Sequence, residues 1–511
     1  EYEETVEGKL EQQFYKELYN FEDWQSIDKD DGLYQNYRLM NDIDFTGKIN
    51  VNSNVTMARL ESVGEKKTLK NINLKFENVQ ETGLIKKITN NIKNIKFENI
   101  EIQASNDANG IGIISNCSAE ISNLEFKNIT INSKTNTIGC IANIVQTSVN
   151  NIKVEDVNVV GNQYVGGLVG QYDAPMYTLS DVIADDVDVN GSSSVGGIDG
   201  SSSINSNLIR ITINNSNIKG QTQVGGIVGY RRSTTGPYGM QDIKAENNEI
   251  RGINAVGGIG GNINRLSNVI SRRNLIFGTV NVGGIGGIAG GTSDNLYSIE
   301  NDVIAESVDA KYIGGISGLG ENYLSNLGVV KCNIKSLGNC VGGIFGHTNA
   351  STQNNISRTF IKDTNIEGKD NVAGIIGICM AGTIKYNYIE AKIEGNTNVG
   401  GNIGYLDNKE MSDVNNVISV YANYIANTNI IAKNNVGGLI GGISKELYIP
   451  EKHYYGNFVE ANICSESNKN ISLGIGNMPN QNQYLKDTYF YKYSSVNGKN
   501  PNEQNEIFIP W

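Results

Sequence analysis

Apolar residues recur in short alternating runs along this chain, and the runs keep a fixed distance from one recurring phrase. Before Val165 stand Ile152, Val157 and Val159, at 13, 8 and 6 residues upstream; before Val195, Val182, Val187 and Val189 hold the same offsets. Before Val224 the set is Ile211, Ser216 and Ile218, with a polar residue in the middle place. Apolar side chains two apart are the mark of strands that turn alternate residues inward. The phrase itself reads Val165-Gly166-Gly167-Leu168-Val169-Gly170 and returns from Val195, Val224, Val256, Val282, Ile313, Val341, Val372, Val399 and Val436. Weaker copies stand at Thr82-Gly83, Ile111-Gly112 and Ile138-Gly139. A period of about 30 residues signals stacked units rather than independent domains. About three short strands fit in each unit. The pattern predicts an all-β fold, a right-handed parallel β-helix (solenoid) of about thirteen rungs. A propeller blade needs about 40 residues and four antiparallel strands, so that architecture is excluded.

The ends depart from the repeat. Leu10, Phe14, Leu18, Phe21 and Trp24 fall at helical spacing and predict an N-terminal capping helix over an otherwise open first rung. Residues 1–69 are read as this cap with entry strands, 70–475 as the β-helix, and 476–511 as an irregular C-terminal cap and linker. In the glycine phrase, Val and Leu or Ile both point inward although three residues apart, so the chain must turn between them. Glycine at that place is read as a structural corner rather than as a ligand loop.

Composition narrows the partners. The net charge of −12 argues against nucleic acid and against anionic membrane surfaces. No apolar run is long enough for a spanning helix, so no membrane insertion is expected. Asn is abundant, which suits left-handed turn positions. The six cysteines form no metal-like pairs, and Cys332 replaces an apolar strand residue, so buried thiols are expected. Cys332 and Cys340 are the one local pair that could bond. No cofactor and no metal site is read from the chain. Only two histidines occur, His347 and His453, and the His-Glu-x-x-His zinc signature is absent.

Rung length varies mainly after the glycine phrase, where segments rich in Tyr interrupt the repeat. Insertions at one point of a stacked repeat emerge on one face, often the binding face. Tyr and Arg are enriched at interaction surfaces. The candidate binding residues are therefore Tyr172, Tyr177, Tyr230, Arg231, Arg232, Tyr238, Tyr405, Tyr448, His453, Tyr454 and Tyr455. No catalytic residue is assigned. The nearest carboxylate cluster is Asp181, Asp185, Asp186 and Asp188 with Arg210; alternate members of such a strand face opposite ways and do not all converge.

The phrase Val-Gly-Gly-[Leu/Ile]-x-Gly at this period resembles the GLUG repeat. Phe21-Glu22-Asp23-Trp24, Tyr37-Arg38-Leu39 and Asp42-Ile43-Asp44-Phe45 resemble the entry rung of such proteins. The likeness covers roughly residues 20 to 490. GLUG repeats occur in secreted and surface proteins of bacteria, including the non-catalytic region of Gram-positive immunoglobulin A zinc metalloproteases. The resemblance implies an extracellular location, secreted or attached to the cell surface. It also implies an adhesin-like module that binds a host or surface protein or glycan, immunoglobulin among them, as the accessory region of a larger protease. The expectation for this chain alone is a non-catalytic binding or scaffold module. The alternatives are a polysaccharide-active β-helix lyase or hydrolase, and a structural surface-fibre or phage tail protein.

Overall fold

The computed structural model describes residues 14–28, 35–77, 81–105, 110–203, 205–231, 239–349, 354–407, 418–444, 454–467, 469–478, 488–491 and 494–499. The chain is all-β, with 68% strand and 1% helix, and winds as a parallel β-solenoid of about 14 turns. The described residues group into two compact units. The first holds residues 1–221 and 226–241, the second residues 222–225 and 242–511.

In the first unit every strand pairs in parallel with its equivalent one rung on, so like residues stack on like. Ile95, Leu124, Ile152 and Val182 form one inward column, followed by Ile211. Ile102, Ile131, Val159 and Val189 form another, followed by Ile218. Phe97 and Phe126 stack inside at 5.3 Å between ring centres. Each of these side chains is buried. The offset read from the sequence is thus the inward set. Its polar exception is buried too: the Ser216 hydroxyl accepts the Val187 N–H at 3.0 Å and donates to the Asn214 carbonyl at 2.7 Å. A hydroxyl buried without partners would cost a few kcal/mol, so the site is tolerable because both capacities are used.

The N-terminal helix is much shorter than its apolar spacing predicts. It spans only Phe21–Gln25, capped by Asn20, whose side chain accepts the Asp23 N–H at 3.0 Å. Tyr15–Leu18 is instead a strand, paired in parallel with Asn36–Leu39. Phe14 is exposed, while Leu18 and Trp24 are buried; Leu10 lies outside the described residues. An open sheet edge offers four residues a full ladder of hydrogen bonds, and that outweighs a weak helical period. Trp24 still performs the expected sealing. Its ring meets Phe45 edge-on at 5.9 Å and its Nε1 donates to the Asn52 carbonyl at 2.9 Å.

The second unit repeats the plan. Val224, Val256, Val282, Ile313, Val341, Val372, Val399 and Val436 occupy one inward column. Buried asparagines add a second device. Asn387 Nδ2 donates to Asn423 Oδ1 at 2.8 Å, and Asn423 Nδ2 donates to Asn457 Oδ1 at 2.9 Å. A ladder of this kind satisfies buried amides only because identical residues recur at each rung. At the C-terminal end, Tyr489–Phe490 and Ser495–Val496 still pair in parallel with Phe458–Ser465, so the aromatic segment continues the stack.

The glycine corners are structural, but not because they need a left-handed backbone. Of Gly166 and Gly167 neither has positive φ. A Cβ on Gly166 would lie 1.9 Å from the Val169 carbonyl oxygen, and one on Gly167 2.1 Å from that of Gly197 on the next rung. Close approach of neighbouring backbones is what demands glycine there. Asn is the commonest residue at the left-handed positions, as at Asn71, Asn99 and Asn128, with φ of 62°, 54° and 53°.

Candidate functional site

The residues singled out in the sequence separate into inward and outward sets. Tyr172 and Arg231 are fully buried in the first unit, beside Asp199. Tyr172 continues the inward column of Cys117 and Val145. The Asp199 carboxylate accepts the backbone N–H groups of Tyr172 and Ser201 and the hydroxyl of Ser202. Burial pushes its pKa up to about 7, against the lowering effect of those donors and of the Arg231 charge. Arg231 donates to the Ser206 carbonyl. This cluster is interior, so neither Tyr172 nor Arg231 can meet a partner; both are corrected from binding residues to core. Tyr454 is corrected likewise: it is buried, in column with Ile384 and Val420. Its hydroxyl titrates well above the ordinary value because of burial. Tyr177 and Tyr455 are exposed, and Tyr230 and Tyr405 are partly so. Arg232, Tyr238, Tyr448 and His453 lie outside the described residues.

Tyr455 leads to a feature that the inserted segments do not reveal. It stacks on Tyr421 at 4.9 Å with ring planes 5° apart, and Tyr386 meets Tyr421 edge-on at 6.0 Å. Three residues on along the strands, Phe360, Tyr388, Tyr424 and Phe458 occupy one outward column of the second unit. Their ring centres are 5.5, 5.6 and 4.8 Å apart. Tyr491 continues the contact from Phe458 at 6.0 Å. Parallel pairing creates these columns, because one residue type at one rung position is carried to the next rung within a strand spacing. The hydroxyls are set by acids: Tyr388 donates to Glu390 at 2.8 Å. Loss of water contact and that carboxylate push the Tyr388 hydroxyl up to about 12. Tyr424 is raised in the same way, first by burial and then by the Glu460 charge. The signal was present in the sequence. Phe360 and Tyr424 each stand 12 residues before Val372 and Val436, the place that Lys153 and Ile183 hold before Val165 and Val195.

The carboxylates weighed for catalysis are held by neighbours. Arg210 binds Asp181 bidentately at 2.6 and 2.7 Å. Asn215 and Asn217 donate to Asp185 and Asp188, each at 2.7 Å. Asp186 is raised, mainly by burial and then by the Asp156, Asp188 and Asp185 charges. His347 packs on Tyr312 at 4.7 Å, and burial lowers its pKa to about 4. Cys332 and Cys340 are free thiols, both buried, and burial raises both. Among the described residues no helix is long and apolar enough to cross a membrane, and no group of three or more His, Cys, Asp or Glu is placed to hold a metal ion.

No family model matches the chain, and no curated protein matches it. Among solved structures, a PL6 family polysaccharide lyase of Pseudopedobacter saltans is similar at 12% identity and a TM-score of 0.19, over 95% of this chain and 94% of that one. A likeness that weak carries no argument about activity.

Proposed function

We propose that the chain is a non-catalytic binding and scaffold module of an extracellular surface, and that the aromatic face of the second unit takes a protein partner. The observation behind this reading is the pair of outward columns, Tyr421–Tyr455 and Phe360–Tyr388–Tyr424–Phe458. Exposed rings cost free energy in a soluble fold and mark contact surfaces when they gather. Tyr supplies large, rigid, amphipathic contact area at low entropic cost. A protein suits this face better than a sugar. Where the rings stack, as in Tyr421 on Tyr455 and Phe360 on Tyr388, their faces cover each other, leaving edges and hydroxyls outward instead of a flat platform. The GLUG-like phrase supports a secreted or cell-surface setting, with immunoglobulin as one host protein to try.

The experiment is binding of the whole chain to immobilised immunoglobulin and a panel of host extracellular glycoproteins. The Tyr421→Ser, Tyr424→Ser, Tyr455→Ser triple variant should lose at least about tenfold in affinity, the size of a hot-spot truncation. Unchanged binding by a variant with intact far-UV circular dichroism would sink the assignment.

A further inference from the structure

The first unit carries a second surface of different chemistry. An open groove of about 280 Å³ runs over successive corners of the rungs. One wall is a column of left-handed asparagines, Asn71, Asn99 and Asn128. The other is Asn73, Glu101 and Thr130, two residues further along each strand. Ile72 and Ile100, between them, turn their side chains into the core, so the groove is lined by backbone and polar side chains.

The asparagines are tied to one another. Asn99 Nδ2 donates to Asn71 Oδ1 and Asn128 Nδ2 to Asn99 Oδ1, both at 2.9 Å. Along the other wall, Asn73 Nδ2 donates to Glu101 Oε2 at 3.1 Å. A primary amide has two N–H donors and two lone pairs. The ladder takes one donor from Asn99 and one lone pair, which leaves a donor and an acceptor at a fixed orientation for something else. Asn128 keeps a spare N–H in the same way one strand spacing on, whereas both N–H groups of Asn71 are used, on Asp44 and Thr46.

The charge pattern selects the ligand. The groove lining contains no Lys or Arg and one carboxylate, Glu101. The amide column is closed at both ends by acids. Asn71 donates to Asp44 at 2.8 Å, and Asp156 and Asp186 hold the same corner on the two rungs after Asn128. A phosphate, a sulfate or an acidic polysaccharide would be repelled. Exposed amide and hydroxyl groups that can both donate and accept, with no cation among them, match the hydroxyls of an uncharged sugar. The rung repeat is close to the advance per residue of an extended β-linked glycan.

We propose that this groove is a binding site for a neutral, extended β-linked oligosaccharide, laid across the rungs against Asn71, Asn99 and Asn128. The site is separate from the aromatic face and does not depend on a protein partner there.

The test is isothermal titration of the whole chain with cellohexaose, β-1,4-mannohexaose and chitohexaose, and with a mannuronate hexamer as the anionic counterpart. At least one neutral hexasaccharide should bind, and the mannuronate hexamer should bind at least tenfold more weakly. The Asn99→Gly, Thr130→Val variant keeps the left-handed corner open to the backbone while removing an amide and a hydroxyl. It should weaken the neutral ligand about tenfold, as one or two lost hydrogen bonds would. The Tyr421→Ser, Tyr424→Ser, Tyr455→Ser variant should bind it unchanged. No binding of any neutral hexamer at millimolar concentration, equal binding of mannuronate, or an unaffected Asn99→Gly, Thr130→Val variant would each overturn the groove. Loss of the sugar in the tyrosine variant alone would overturn it too, and would move glycan recognition to the aromatic face.

Discussion

One outward position of the repeat carries two chemistries. In the first unit the column reads Lys96, Glu125, Lys153, Ile183 and Thr212. In the second, the column runs Ile270, Tyr297, Gly328, Phe360, Tyr388, Tyr424 and Phe458, so rings fill the last four of these rungs without a break. Beneath both, the inward neighbours are apolar residues, Phe97 and Phe126 among them, or buried polar residues such as Asn387, Asn423 and Asn457, which hydrogen-bond along their column. The first unit surrounds this position with exposed ion pairs, such as Lys127 and Lys153 on Glu155, which hold that carboxyl down at about 2. Such pairs are worth little to stability and repel close approach of a second copy. The second unit presents apolar area at the same rung place. A parallel solenoid therefore separates its tasks: the inward set holds the fold, and the outward columns can be rewritten without disturbing it.

That separation can be broken most severely at the corners. Gly167→Ala in the first unit and Gly343→Ala in the second would place a Cβ 2.1 Å from the carbonyl oxygen of Gly197 and of Gly374. Each should destabilise its unit by about 3 kcal/mol or more, read by thermal or urea unfolding. Two equally damaged variants are expected, because the corner serves the same purpose in both units.

A pH effect should distinguish the units next. The Asp199 carboxyl is raised from its ordinary range to about 7 in the fold, chiefly by burial. The folded state then holds a proton that the unfolded chain has already released. Its stabilising contribution is complete below the unfolded pKa, near 4, and is lost as pH rises towards 7. Proteolysis or hydrogen exchange of the first unit should show stability falling over that window, and Asp199→Asn should flatten the profile. A slope that survives the substitution would assign the effect elsewhere.

The corner asparagines come after that. Asn99→Ala should cost about 1–2 kcal/mol for the left-handed backbone, and more for the broken ladder, whereas Asn99→Gly removes the ladder alone. Urea midpoints of the two variants would separate conformation from hydrogen bonding. Smallest of all is Lys153→Tyr, which writes the aromatic character of the second unit into the first. It should change stability by no more than about 0.5 kcal/mol, because it exchanges an exposed ion pair for a ring on a solvated strand. A larger loss would mean that the outward column is not free to vary.

Much of this was legible in the sequence. Ile152, Val157 and Val159 announced the inward offsets, and the parallel register bears them out residue by residue. The helix expected through Leu18 was misread because four residues at an open sheet edge gain a ladder that periodicity cannot show. Tyr172 and Arg231 were taken for loop residues, although each stands seven places after its valine, where Val145 also stands after Ile138. That offset is inward: Arg231 is held there by the Ser206 carbonyl and the Asp199 charge, whereas the Tyr172 hydroxyl is buried without a hydrogen-bond partner.

By itself the sequence determined the period, the strand content and the side of each regular position, since alternation along a strand is local geometry. Only the tertiary structure decided which outward residues act together. Tyr421 and Tyr455 are 34 residues apart in the chain and 4.9 Å apart as rings, and Asn71 and Asn99 share a hydrogen bond across 28 residues. Those neighbours are made by the register of one rung on the next. The register depends on the length of every loop between them.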